Sequence, residues 1–172
     1  LSRALKDLAR TENVSLFMVL LAVFNLLLSR LSGEHDVVVG TPATGRRHPG
    51  ILSIVGMFTA TLALRNQPLP ERTFRQFLQS VRENTLGAYE NQEYPFEQLV
   101  EKLDVSRDAG RNPVFDLMFA LHNQSEDARE MEARVDGEPL RMTLLPYESR
   151  VSKFDISFNG FETPGNVGFL IV

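Results

Sequence analysis

An imidazole is the side chain best suited to take a proton from an attacking amine or hydroxyl near neutral pH, and this chain has three, His35, His48 and His122. They stand far apart, and none has a partner four residues away, the spacing that sets two imidazoles on one helix face for zinc. His35 falls at a helix–strand turn and His122 at the end of a strand, positions typical of ordinary boundary residues. No Gly-rich phosphate loop and no Gly-x-Ser-x-Gly elbow occurs. The carboxylates of Glu126 and Asp127 lie in an acidic, solvated stretch, where nothing raises a pKa for proton transfer. With no cysteine in the chain, thiolate catalysis, disulfides and Cys-based metal sites are excluded. The sequence yields no catalytic residue and no metal site of its own.

Three stretches carry a sharper signal. Asn91-Gln92-Glu93-Tyr94-Pro95-Phe96-Glu97 is similar to the His/Asn-Gln-Asp-Tyr-Pro-Phe-Glu motif of nonribosomal peptide condensation domains, with Glu93 in place of Asp. Arg107-Asp108-Ala109-Gly110-Arg111-Asn112-Pro113-Val114 resembles their Arg-Asp-x-Ser-Arg-Asn-Pro-Leu motif. Val55-Gly56-Met57-Phe58, followed by Thr61-Leu62-Ala63 and Arg65, resembles their Val-Gly-x-Phe-Val-Asn-Thr-Leu-Ala-x-Arg motif. Ser15-Leu16-Phe17-Met18 and Val39-Gly40-Thr41-Pro42 read like the same family, so the resemblance runs in order over nearly the whole chain.

The resemblance implies a domain of two lobes, each similar to chloramphenicol acetyltransferase, with a tunnel between them. Carrier proteins deliver thioester substrates there on phosphopantetheine arms, and the acceptor amine attacks the donor thioester to form a peptide bond. The family's His-His-x-x-x-Asp-Gly motif belongs to the amino-terminal lobe, and no such string occurs here. The chain resembles the carboxyl-terminal lobe alone, a single domain over residues 1–172 that reads as cut at both ends. On this reading Thr59, Thr61, Arg65, Gln92, Asp108, Arg111 and Asn112 are candidates for the substrate channel or the lobe interface. Arg46 and Arg47 are candidates for contact with an acidic carrier protein or its phosphate. A local ion pair between Asp108 and Arg111, fixing a turn, explains those two residues as well. The implied partners are the amino-terminal lobe, the donor and acceptor carrier proteins and an adenylation domain of the same synthetase. Phosphopantetheine serves as a substrate carrier rather than a bound cofactor.

Some positions depart from the family pattern. Thr59-Ala60 stands where Val-Asn is usual, which removes an amide donor and acceptor together. The strings of heterocyclisation and epimerisation domains are not matched at Pro113-Val114-Phe115-Asp116 or Phe119-Ala120-Leu121-His122, so condensation fits better. Two other functions remain open from the residues: a small stand-alone acyl-CoA acyltransferase using one of the three histidines, and a non-catalytic docking module for carrier proteins.

The elements that must position these residues follow from periodicity. Leu1, Leu5 and Leu8 repeat at helical spacing. A second helix, capped by Asn13 or Ser15, runs to about Leu31 and is apolar nearly all round, so it should be covered on several sides; Gly33 ends it. Residues 36–40 suit a buried strand, and 57–65 a second strand with Phe58, Ala60, Leu62 and Leu64 on one face and Met57, Thr59, Thr61, Ala63 and Arg65 on the other. Thr73 caps a helix whose inner stripe is Phe74, Phe77, Leu78, Val81 and Thr85. Pro95 suits the first turn of a short helix burying Phe96, Leu99, Val100 and Leu103. Strands are expected over 114–121, 140–147, 151–158 and 167–172, with a solvated loop over 123–132. Helices and strands mix without strict alternation, which predicts an α+β fold: a mixed sheet with helices mainly on one face, a chloramphenicol acetyltransferase-like half domain.

The 172 residues are 43% apolar, enough for a sizeable core. Lys and Arg number 18 against 22 acidic residues, with no basic block, so nucleic acid is not an expected partner. The run 14–28 is too short and interrupted for a bilayer crossing, and a cytoplasmic location without membrane attachment is the expectation.

Overall fold

The computed structural model describes residues 1–46, 48–105, 110–123, 134–135, 138–139, 151–163 and 165–172. Helix α1 (Ser2–Thr11) leads into α2 (Leu16–Ser32), whose start is fixed by Ser15, its hydroxyl accepting the Met18 N–H at 3.2 Å. Gly33 ends α2 with φ of 78°, a conformation that costs a residue without Cβ nothing. Strand β1 (Val37–Ala43) returns through a loop containing the single-turn 3-10 segment Pro49–Ile51 to β2 (Ala60–Asn66). Helix α3 (Phe74–Glu90) opens on a reciprocal cap, in which Thr73 Oγ1 accepts the Gln76 N–H and Gln76 Oε1 accepts the Thr73 N–H. Helix α4 (Phe96–Lys102) and β3 (Leu117–Asn123) follow. The pair β4 (Arg134–Val135) and β5 (Glu138–Pro139) forms a separate small ladder, and β6 (Ile156–Glu162) and β7 (Val167–Ile171) complete the main sheet.

That sheet is mixed and runs β2-β1-β3-β6-β7. The β1–β2 and β6–β7 pairs are antiparallel, while β3 lies parallel to both β1 and β6. The strand period of two turns Val37, Val39, Thr41 and Ala43 of β1 toward α2 and α3, together with Leu62 and Leu64 of β2 and Phe119 of β3, all buried. Phe119 is the centre of this core. Its ring meets Phe17 and Phe24 of α2 at 5.3 and 5.6 Å and Phe158 of β6 at 5.6 Å, so one side chain ties the most apolar helix to the middle strands. Burial of such a ring contributes roughly 1.5–3 kcal/mol, and each ring pair about 0.5–1.5 kcal/mol more. On the other face Phe115 lies against Gly40, flanked by Phe96 of α4 and by Phe154. The mixed sheet with helices mainly on one face is the expected architecture.

Several details differ from expectation. Helix α2 is buried on most sides, yet Val23, Leu27 and Leu31, each four residues from the next, remain exposed as an aliphatic stripe. Pro95 sits at the N-cap of α4, one position before the first helical residue, and Leu103 is exposed rather than buried because the helix ends at Lys102. Strand β2 begins at Ala60 and β3 at Leu117, three residues later than their patterns imply. The residues before each are held by loop contacts instead. Strand β6 starts at Ile156, after Phe154 has been drawn to Phe115. The strand expected at 140–147, and the loop at 124–132, lie outside the described residues.

Two glycine substitutions separate packing from propensity. A Cβ on Gly40 would lie 2.1 Å from the Phe115 ring, whereas a Cβ on Gly87 in α3 meets nothing within 4 Å. Gly40→Ala should lower stability by about 1–3 kcal/mol, and Gly87→Ala should raise it by about 0.5–1 kcal/mol. Urea denaturation followed by far-ultraviolet circular dichroism reads both.

Candidate functional site

The seam between β1 and β3 dictates where a cleft opens. The two strands meet in register at Gly40 and Met118. Beyond that point Pro42 has no N–H to offer a neighbouring strand, and the two strand ends frame a cleft of about 290 Å³. Thr41 and Ala43 of β1 and Ala120 of β3 form its buried floor, while the exposed Thr59 and His122 stand at its mouth. Phe17 from the first turn of α2 and Tyr89 from the last turn of α3 close the sides. Tyr89 is half-buried, and burial pushes its phenol up from the ordinary range, so it remains a protonated donor. The His122 ring stacks on Phe161 of β6 with centroids 5.3 Å apart, which sets its plane. Among the described residues, no lysine, arginine or carboxylate lines the cleft.

The loop between β1 and β2 forms the adjoining wall and is built around Arg46. Its guanidinium donates to the carbonyl oxygens of Ile51, Leu52 and Gly56, the last two at 3.3 Å, and lies 4.3 Å from the centre of the Phe58 ring. Gly45 precedes it with φ of 63°, and a Cβ there would lie 1.9 Å from the Phe58 carbonyl oxygen. Only glycine allows that approach. The loop thus braced presents Val55 and Met57 almost fully to solvent, 99% and 94% exposed.

The remaining candidates are distributed as follows. Thr61 sits on β2 opposite Pro42 in the β1 register. Arg65, at the far end of β2, makes a two-pronged contact with Asp36, Nε donating to Oδ1 at 2.8 Å and to Oδ2 at 3.1 Å. That hydrogen bond, more than the accompanying charge attraction, holds the Asp36 carboxyl below its ordinary range. Arg65 also lines a separate polar groove with Arg72 and Asn84. The Gln92 side chain donates to the Tyr89 carbonyl at 2.8 Å and so fixes the end of α3 behind the cleft. Asn112 donates from its side chain to the Lys153 carbonyl at 2.9 Å, and its backbone N–H bonds to Asp116, which also pairs with Arg111 at 3.7 Å. Of the described candidates, Thr59 alone lines the cleft directly, and Gln92 bears on it from behind. Asp108 and Arg47 lie outside the described residues. Tyr89 is absent from the sequence candidates, and His122 entered only as one of three imidazoles able to act as a base; no pattern within a single element brings the two to one cleft.

The other histidines do local work. His35 Nδ1 meets Ser29 Oγ at 3.1 Å, and His48 Nδ1 accepts the Gly50 N–H at 3.1 Å. No cluster of three or more His, Asp and Glu able to hold a metal exists among the described residues. No single helix among them is long and apolar enough to cross a membrane.

Comparison with known proteins bears on the same residues. The model of the condensation domain family matches residues 1–171. Tyrocidine synthase 3 of Brevibacillus parabrevis is 44% identical over 167 residues, 96% of this chain and 2% of its own length. Gramicidin S synthase 2 of Brevibacillus brevis is 47% identical over 171 residues, 98% of this chain and 4% of its own length. The chain therefore spans only a few per cent of these curated relatives. Among solved structures, a holo four-domain nonribosomal peptide synthetase bound to AMP and glycine superposes with a TM-score of 0.85 at 23% identity, covering 99% of this chain and 14% of the other. The condensation domain of a monacolin K polyketide synthase gives a TM-score of 0.75 at 22% identity, covering 97% and 37%. At those identities the structures establish the fold, which is chloramphenicol acetyltransferase-like.

Two outcomes follow from the braces. Arg46→Met should leave helical circular dichroism intact yet speed proteolytic nicking within 48–57 by roughly tenfold, since charge-assisted hydrogen bonds of this kind contribute about 1.5–3 kcal/mol; mass spectrometry of a timed digest locates the cuts. Because Asp36 titrates below its unfolded value, its contribution to stability is present above the ordinary carboxylate range and is lost as pH falls through the lowered folded value. The stability difference between the parent and Arg65→Met should accordingly shrink in acid, as denaturation at neutral and acidic pH would show.

Proposed function

We propose, for a chain that belongs to the condensation-domain family, that it is the carboxyl-terminal lobe of a nonribosomal peptide synthetase condensation domain. In this role it supplies one wall of the passage in which a peptide bond forms between carrier-bound thioesters. The observation that carries the reading is one of proportion: the fold is matched over nearly all of this chain but over little more than a third of a single condensation domain. Similarity of 44–47% to peptide antibiotic synthases supports amide formation as the reaction.

The chemistry divides between two lobes. The acceptor amine attacks the donor thioester carbonyl, a C–N bond forms, the C–S bond breaks, and the donor phosphopantetheine leaves as a thiol. The amine must lose a proton on the way, and a positioned imidazole accelerates such a transfer by about 10²–10⁴-fold. This chain has no histidine pair, and its three imidazoles are engaged with Ser29, Gly50 and Phe161 in separate places. The proton acceptor belongs to the amino-terminal lobe. What this chain offers is shape: the cleft, the braced loop beside it and exposed aliphatic surface at Val55, Met57 and the Val23-Leu27-Leu31 stripe. Apolar patches of that kind mark surfaces covered in the functional assembly, and the covering body on this reading is the amino-terminal lobe.

Carrier proteins for donor and acceptor, and an adenylation domain that loads them, are the further partners of a cytoplasmic synthetase. Phosphopantetheine enters as the carriers' arm. Thr59, Thr61, Arg65, Arg111 and Asn112 remain channel or lobe-interface residues on this reading. The carrier-contact role of Arg46 meets a guanidinium already committed to three carbonyls.

The isolated chain should give no condensation product with carrier-loaded donor and acceptor. Joining it to an amino-terminal lobe bearing the histidine motif should restore product, and alanine at that lobe's histidine should lower the rate by roughly 10²–10⁴-fold. Mass spectrometry of the carrier-bound dipeptide reads each case, and turnover by the isolated chain overturns the proposal.

A further inference from the structure

We infer that the cleft at the carboxyl ends of β1 and β3 is a side-chain pocket for one aminoacyl group, selective for an uncharged side chain, with Tyr89 and His122 as its specificity-determining residues. The inference rests on the condensation reading above and adds to it the class of substrate.

Topology places the pocket. After β1 the chain turns to β2 on one side of the sheet, whereas the next main-sheet strand after β3, β6, lies on the other. Parallel neighbours whose connections leave in opposite directions form a crevice at their carboxyl ends, where open sheets bind small molecules. Here Pro42 sits at that point, and the cleft begins where the β1–β3 register ends. At about 290 Å³ it lies at the small end for ligand pockets. That suits a single side chain rather than a peptide.

The lining sets the selectivity. Phe17, Ala120 and Leu121 give apolar walls, while Thr41, Thr59 and Tyr89 bring hydroxyls that turn toward either a donor or an acceptor. With no carboxylate, lysine or arginine among the described residues of the wall, a charged side chain would be desolvated there without a partner, which is costly. An aliphatic side chain, or an aromatic one with a polar tip, loses nothing comparable. Specificity of this kind comes from rejecting the wrong group as much as from holding the right one. His122 is held flat against Phe161 and marks the rim. Gln92, through the Tyr89 carbonyl, anchors the opposite rim from behind and touches no ligand itself.

The test uses the chain itself and hydrolysis-resistant pantetheine amides of leucine, tyrosine, lysine and glutamate, each titrated while the imidazole proton signals of His122 are followed by NMR. The leucyl and tyrosyl amides should shift the His122 signals and bind at least roughly tenfold more tightly than the lysyl and glutamyl amides, a gap of about 1.4 kcal/mol. His122→Glu, at an exposed position where folding is not at stake, should reverse the order for the lysyl amide. Equal binding of all four, shifts confined to residues away from the cleft, or no binding by any would each overturn the inference. These results are read without turnover. A joined domain that fails to condense would count against the proposed function and leave the pocket's measured preference standing.

Discussion

The parallel seam between β1 and β3 is the constraint on which the rest of this structure depends. A parallel pair is buried on both faces, so each face needs its own packing. On one side Phe119 joins Phe17, Phe24 and Phe158. On the other, Phe115 lies so close to Gly40 that no larger residue fits there. Seam and faces are mutually dependent: the glycine permits the ring, and the ring covers the strand at the one place where β1 and β3 are in register. Two residues on, Pro42 has no N–H with which to extend a ladder. A strand pair clamped at its middle and released at its carboxyl end is what produces a cleft of fixed shape.

The motif-bearing segments act largely as braces around that cleft. Arg46, Gln92 and Asn112 all spend side-chain donors on backbone carbonyls of their own chain. Those carbonyls sit in loops or at a helix end, outside the regular helix and strand ladders, where a side-chain donor adds a bond that the repeat does not supply. A residue of this sort shapes a site without touching substrate, because a displaced loop moves the wall. The separation has a physical basis: hydrogen-bonding groups that are internally satisfied make a rigid frame, and the hydroxyls left over at Thr41, Thr59 and Tyr89 provide the contact surface.

Much of the frame was legible in the residues because local signals agreed. Ser15, Gly33 and Thr73 mark helix ends by mechanisms that operate within one turn, and each sits where its chemistry predicts. The inner stripe of α3 at Phe77, Leu78, Val81 and Thr85 follows from helical period alone. The strand starts were misplaced for the opposite reason. Residues 57–59 alternate like a strand, but the close approach of Gly45 to the Phe58 carbonyl and the Arg46 stack on its ring hold them in the loop, and both contacts are tertiary. The cleft was less visible still. Its walls come from α2, β1, the β1–β2 loop, α3 and β3, and no pattern within a single element announces that Tyr89 and His122 face one space.

The exposed aliphatic residues complete the argument about what kind of body this is. Val55 and Met57 stand on a loop that Arg46 and Gly45 hold rigid, and Val23, Leu27 and Leu31 lie on a helix whose other sides are buried in the core. Neither surface belongs to a frayed segment that would fold back on itself. Apolar groups fixed in place and facing water cost free energy continuously, and a rigid scaffold has no means of hiding them by rearrangement. A second body must cover them for that cost to be recovered. The buried half of the chain accounts for its fold, and on the proposed reading the uncovered half is the surface that a partner lobe would cover.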